Sequence, residues 1–208
     1  KENQSLIWKH QYETVCITPW GKNALRIRAT KFTNFTEHNW AVDEPILTSS
    51  TDVFIEINKD ESTETSNASI TNGRFCIKVD AAGIMTFYRD GQKFLKEYHR
   101  DYDQPLCRES RCLKIRGREY KAIVGGNYAI KVRFESNDSE KIYGMGQYQQ
   151  SYLDLKGCTL ELAQRNSQVS IPFSVSNLGY GFLWNHPGVG NVVFGKNYTE
   201  WEAKAAKQ

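Results

Sequence analysis

Apolar and polar positions alternate with a period of two along most of the chain, the spacing that puts successive side chains on opposite faces of a strand. Leu25-Arg26-Ile27-Arg28-Ala29-Thr30 reads this way, after Val15-Cys16-Ile17 and a Pro19-Trp20-Gly21 turn. Val53-Phe54-Ile55-Glu56-Ile57, Arg74-Phe75-Cys76-Ile77-Lys78-Val79 and Ile84-Met85-Thr86-Phe87-Tyr88-Arg89 repeat it. Tyr128-Ala129-Ile130-Lys131-Val132-Arg133-Phe134 is the cleanest case, with Tyr128, Ile130, Val132 and Phe134 on one face. Between these runs stand turn formers: Asp80-Ala81-Ala82-Gly83, Asp90-Gly91 and Gly125-Gly126-Asn127. Asp-Gly suits a two-residue hairpin because both positions need positive φ.

Residues 60–67 are polar and predict a hairpin tip, and residues 96–112 predict a long excursion. Strand patterns resume at residues 141–144, 170–175, 181–184 and 192–195. No convincing helical stripe occurs before Thr199–Lys207, which has good helix formers and reads equally as a last strand. More than ten short strands in series predict an all-β chain, a large antiparallel β-sandwich, with residues 1–208 as a single domain.

Composition alters this picture little. Hydrophobic residues make up 39% and charged residues 25% of 208, as in ordinary globular domains. The net charge of +3, with both signs interspersed, argues against nucleic-acid and membrane partners. No stretch of about 18 apolar residues suggests a membrane helix. Cys16, Cys76, Cys107, Cys112 and Cys158 match no zinc spacing. Cys16 and Cys76 look like small core residues, while Cys107 and Cys112 have the separation for a small loop disulfide. The odd thiol count leans the reading towards the cytoplasm. Sequons at Asn3, Asn34, Asn67, Asn137 and Asn197 keep secretion open, and a start at Lys1 without a leader decides nothing.

Catalytic machinery is sparse. His10, His38, His99 and His186 are not at metal-ligand spacing; His186, in Asn185-His186-Pro187-Gly188, suits a capping role. Gly144-Met145-Gly146 lacks the third glycine and following helix of a phosphate cradle and reads as conformational. Glycoside hydrolysis needs two carboxyl groups flanking the scissile bond. Glu97, Asp101, Asp103, Asp154 and Glu161 stand in contexts that suit solvated surface. No catalytic residue, metal or cofactor is therefore expected in this chain.

One stretch is specific. Lys141-Ile142-Tyr143-Gly144-Met145-Gly146-Gln147 leads through Leu160-Glu161-Leu162-Ala163-Gln164-Arg165-Asn166-Ser167-Gln168 to Ile171-Pro172-Phe173. Gly179-Tyr180-Gly181-Phe182-Leu183-Trp184-Asn185-His186-Pro187 completes it. In order and spacing this resembles the end of the N-terminal domain of glycoside hydrolase family 31, whose members include α-glucosidases and α-xylosidases. The first 140 residues match only in character, through the early Pro-Trp-Gly and the L-R-I-R strand. The resemblance implies a galactose-mutarotase-like supersandwich that packs on a (β/α)8 barrel. That barrel, expected downstream of Gln208, carries an Asp nucleophile and an Asp acid/base and hydrolyses α-linked glycosides or oligosaccharides with retention.

In this family a loop before the I-P-F strand reaches the substrate mouth, often with Asp after Arg. The matching positions are Arg165 and Asn166, the candidate substrate-binding residues. Asn for Asp removes a charge, keeps an acceptor and adds a donor. Two other functions are open to the sequence. A stand-alone carbohydrate-binding module would stack sugars on Trp8, Trp40 or Trp201, and a mutarotase-type epimerase would need an acid–base pair such as His99 and Glu161. A domain that lacks its barrel is expected to expose an apolar interface.

Overall fold

The computed structural model describes residues 4–36, 42, 53–60, 65–100 and 114–206. All regular structure among these is antiparallel β-strand, arranged in four sheets. The chain divides into two compact units, residues 1–96 with 207–208, and residues 97–206.

The first unit holds β1 (Leu6–His10), β2 (Glu13–Pro19) and β3 (Leu25–Thr30) as one three-stranded sheet. A five-stranded meander follows: β4 (Val53–Asp60), β5 (Thr65–Asn72), β6 (Phe75–Val79), β7 (Met85–Arg89) and β8 (Gln92–Lys96). The alternation decides which residues turn inward. Ile70 pairs with Ile77, Ile77 with Phe87 and Val79 with Met85, and all five are buried. Cys16 is buried in β2 and Cys76 half-buried in β6, both as free thiols; Cys107 and Cys112 lie outside the described residues. Asp90 and Gly91 take φ of +52° and +79° and close the β7–β8 hairpin. Thr65–Asn67, expected in a polar tip, already belong to β5 and pair with β4.

The second unit has β9 (Arg118–Ala122), β10 (Tyr128–Glu135), β11 (Ile142–Gln147) and β12 (Thr159–Leu162). β13 (Val169–Ser176), β14 (Tyr180–Leu183), β15 (Gly190–Phe194) and β16 (Tyr198–Ala206) complete it. Its five-stranded sheet runs β12-β15-β16-β10-β9, and its three-stranded sheet runs β11-β13-β14. Phe182 of β14 joins them, with its ring 5.3 Å from Phe134 and 5.0 Å from Trp201.

The C-terminal segment is a strand, not a helix. Trp201 and Ala203 face the core, and Glu200 and Glu202 point the other way. β16 is paired on both sides, by β10 and β15, so tertiary pairing overrides the local helix preference. Close approach fixes the chain at Gly190, where a Cβ would sit 1.8 Å from the Glu202 carbonyl oxygen. On the outer face Arg133 bonds Glu200 at 2.5 Å and Glu119 at 2.8 Å, and Lys131 bonds Glu200 at 3.0 Å.

Glu97 departs from the surface role expected of it. It is fully buried, and both of its oxygens accept from Arg118 Nη1, at 2.5 and 2.6 Å. A buried carboxylate persists only with such a partner, and nothing in the local sequence around residue 97 reveals an arginine 21 residues on.

Candidate functional site

The chain leaves β12, in the five-stranded sheet, and enters β13, in the three-stranded sheet, through residues 163–168. Arg165 and Gln168 form an isolated antiparallel bridge, and the Gln168 amide donates to the Arg165 carbonyl at 3.2 Å. Arg165, Asn166, Ser167 and Gln168 therefore form a β-turn, with Ser167 at φ +70°, the region a type II turn requires of its third residue.

Below the turn three side chains close its base. Gln164 bonds Ser170 in both directions: its Nε2 donates to the Ser170 carbonyl at 2.7 Å and its Oε1 accepts from the Ser170 amide at 3.1 Å. A side-chain amide thus replaces a rung of backbone ladder. The Tyr148 hydroxyl sits at 2.8 Å from the Glu161 carbonyl oxygen and 2.7 Å from Ser170 Oγ, linking the two arms. On the far side of β13, Gly144 and Gly146 have φ of +98° and +92°, with Met145 at +71° between them. A Cβ on Gly146 would meet the Val169 carbonyl oxygen at 2.2 Å, so this G-x-G serves backbone approach in a strand irregularity.

Arg165 and Asn166 are both exposed at the tip. Arg165 Nε and Nη2 each donate to Glu161 at 2.8 Å. With side chains 59% and 39% exposed, this pair contributes little stability, roughly 0.2–1 kcal/mol; its effect is to orient a guanidinium that keeps further N–H groups for another acceptor.

The β13 strand that leaves the turn buries its polar side chains and exposes its apolar ones. Ser170, Ser174 and Ser176 are buried, whereas Val169, Ile171, Phe173 and Val175 are 49%, 51%, 43% and 43% exposed. Phe173 lies across Gly181 of β14, where a Cβ would fall 2.8 Å from its ring. Gly181 therefore seats a ring, while Gly179, at φ +81°, makes the turn.

The other candidates have structural surroundings. Asp154 Oδ1 accepts from the Lys156 and Ile142 amides at 3.1 Å each, which holds its carboxyl below the usual range. Glu161, nominated with His99 as an acid–base pair, is engaged by Arg165. His186 Nδ1 accepts from the Gly188 amide at 3.0 Å, capping its own turn, and burial lowers its basicity. Trp201 is buried against Phe182, Trp184 and Phe194 and cannot present a face to sugar. Trp8 is half-buried, its ring 2.4 Å from where a Cβ on Gly83 would stand. Asp101, Asp103, His38 and Trp40 lie outside the described residues. No group of His, Cys, Asp and Glu that would hold a metal occurs among the described residues, and no helix there is long and apolar enough to cross a membrane. Sequence reasoning missed Gln164, Tyr148 and Ser170. Gln164 lies one residue before the four-residue turn and Ser170 two after it, and nothing in the local sequence marks them as partners.

Known proteins are similar to this chain. An uncharacterized family 31 glucosidase, ORF2, of Pseudescherichia vulneris is 40% identical over 210 residues, covering 97% of this chain and 38% of that protein. Alpha-xylosidase A of Aspergillus niger is 28% identical over 208 residues, covering 94% and 27%. Among solved structures, a GH31 alpha-xylosidase from a soil metagenome, complexed with xylose, superposes with a TM-score of 0.86 at 39% identity. That match takes in 100% of this chain and 30% of the other. The chain thus spans well under half the length of each of these relatives. A family model described as the glycosyl hydrolase 31 N-terminal galactose mutarotase-like domain matches residues 14–192, across both compact units, and the chain belongs to that family.

Proposed function

We propose that this chain is the noncatalytic N-terminal domain of a retaining α-glycosidase of the α-glucosidase or α-xylosidase type. In this reading residues 1–208 act as one domain, a supersandwich that packs on a (β/α)8 barrel and lends the turn at Arg165 and Asn166 to the substrate mouth. The observation that carries it is the turn itself: exposed at its tip and fixed at its base by Gln164, Tyr148 and Ser170. A site residue must be held by its supports before it can discriminate between substrates. Asn166 offers one acceptor and two donors, which matches a sugar hydroxyl that both gives and takes a hydrogen bond. Arg165, oriented by Glu161, adds charge-assisted donors. The similarity to a family 31 glucosidase at 40% identity and to alpha-xylosidases at 28% and 39% supports α-glucosides or α-xylosides as substrates.

The test uses the 208-residue chain and the longer polypeptide encoded by its reading frame, assayed on chromogenic α-xylosides and α-glucosides. The 208-residue chain is expected to be silent and the longer polypeptide active. Asn166→Ala in the latter is expected to lower kcat/KM by about tenfold, the value of one good hydrogen bond to substrate. Turnover by the 208-residue chain, or an unchanged kcat/KM in the variant, overturns the proposal.

A further inference from the structure

We infer that one face of the β1-β2-β3 sheet holds a phosphate-binding site centred on Arg28. The register puts Arg28 directly opposite Cys16, and Cys16 opposite Ile7. Arg26 stands two residues before Arg28 and shares its face, as does exposed Lys9, two residues after Ile7. Side chains alternate along a strand, so Leu6, Val15 and Ile17, all buried, occupy the opposite face. Glu13, the only carboxylate in these three strands, is on their side. Within the sheet, the Arg28 face therefore carries three cations and no anion.

Each arginine is held by a ring. The Arg28 guanidinium carbon lies 4.7 Å from the centre of Phe35, and that of Arg26 lies 4.6 Å from the centre of Trp20. An aromatic face orients a guanidinium without neutralising it, whereas a carboxylate would take up both its charge and its donors. Arg28 Nε is sealed from solvent and has no acceptor among the described residues, a state that native structures seldom tolerate. Neither Nη group is sealed in this way or bonded to another described residue. The protein thus holds the Arg28 stem in place and leaves the outer edge of its fork open.

Charge and spacing select the ligand. Guanidinium forks match the oxygens of carboxylate and phosphate groups two at a time. Residues two apart on a strand stand about 7 Å apart, so Arg26 and Arg28 can grip different oxygens of one tetrahedral group. A planar carboxylate is satisfied by a single fork. Three like charges on one face also favour a dianion over a monoanion. The class takes in inorganic phosphate and the phosphate of a phosphorylated sugar. The site is built from residues 7–35, away in sequence from the turn at Arg165 and Asn166, so it stands or falls separately from the proposed function.

Calorimetric titration and arginine modification by phenylglyoxal, read by mass spectrometry, test it on the 208-residue chain at low ionic strength. Inorganic phosphate is expected to bind with a Kd of about 1 mM. At about four times that concentration about four-fifths of the sites are filled, so Arg28 should be modified about fivefold more slowly. Arg165, with its side chain 59% exposed, is the reference and should keep its rate. Sodium chloride at equal ionic strength should protect nothing. Glucose 6-phosphate supplies the second source: tighter binding than inorganic phosphate supports the site and identifies a phosphorylated sugar, and equal binding supports it and identifies the free ion. Arg28→Lys keeps the charge but loses the fork, and should weaken phosphate binding about tenfold. Lys196→Gln removes a charge from the other compact unit and should leave binding unchanged. The protection of Arg28 is read on the unaltered chain, so it does not depend on the variants folding. Chloride that protects Arg28 as well as phosphate does would reduce the effect to screening and overturn the inference. Tighter binding of acetate or glucuronate than of phosphate, or wild-type phosphate affinity in Arg28→Lys, overturns it too.

Discussion

Replacing Gln164 with Ala is expected to loosen the turn without unfolding the sheets on either side. The side chain makes two hydrogen bonds to one residue, at 2.7 and 3.1 Å, and that residue, Ser170, is 7% exposed. Each bond contributes about 1 kcal/mol net, and a buried backbone donor or acceptor left unmet costs about 1–3 kcal/mol. Gln164 itself is exposed, so water enters the space it vacates and the low end applies. The sum is about 2 kcal/mol, which for a chain of this size lowers Tm by about 4–8 °C. Hydrogen exchange at the Ser170 amide is the direct readout, supported by the urea midpoint. The Gln164→Glu variant supplies a control with its own signature. Its carboxylate still accepts from the Ser170 amide, but its other oxygen faces the Ser170 carbonyl, acceptor against acceptor. Acidification protonates that carboxyl and restores a donor; the repulsion raises its folded pKa, so the variant should regain stability relative to wild type as pH falls through that raised value, with the gain complete below the unfolded value of about 4.3. An Ala variant with unchanged Ser170 exchange and a loss under about 0.5 kcal/mol would show that the clasp does not hold the turn.

Two further outcomes follow from Ser167 in the turn and Glu200 on the five-stranded sheet. Ser167→Gly should stabilise the chain by about 0.5 kcal/mol, because relief of the positive φ outweighs the added freedom of the unfolded state; a lower urea midpoint would mean that the serine side chain holds the turn. Glu200 is partly buried, which raises its carboxyl pKa, but hydrogen bonds from Lys131 and Arg133 outweigh this and hold it below the usual range. Its stabilising contribution is therefore complete above the unfolded value of about 4.3 and lost as pH falls through the lower folded value. In urea unfolding across pH 2–7, roughly the carboxylate range, wild type should exceed Glu200→Gln at neutral pH and the gap should close in acid; a gap independent of pH refutes the ion-pair account.

Much of the fold was legible because period-two alternation is a direct imprint of a half-buried sheet. Ile130, Val132 and Phe134 are buried in β10, and Asp90-Gly91 makes the turn it advertises. Local reading stops short where distant partners decide. Thr199–Lys207 has good helix formers and read equally as a strand, and pairing on both flanks decides for the strand. Glu97 looks like surface until Arg118 arrives from another strand. On β13 the alternation was visible but its sense was not: nothing in a single sequence says which of two faces turns to solvent. The turn at Arg165 and Asn166 was found through family resemblance. Its supports were not, since Tyr148 is remote in sequence and Gln164 resembles any other polar residue beside a turn.

The Gln164–Ser170 clasp separates two functions along one stretch of backbone. Everything below it belongs to the two sheets and is bound by their registers; everything above it answers only to turn geometry. Residues can be added or removed at the tip while the strands beneath keep their alignment, because loop-closure entropy grows slowly with length. A lineage carrying this clasp can therefore change the reach and polarity of the tip, one insertion at a time, on an unaltered scaffold.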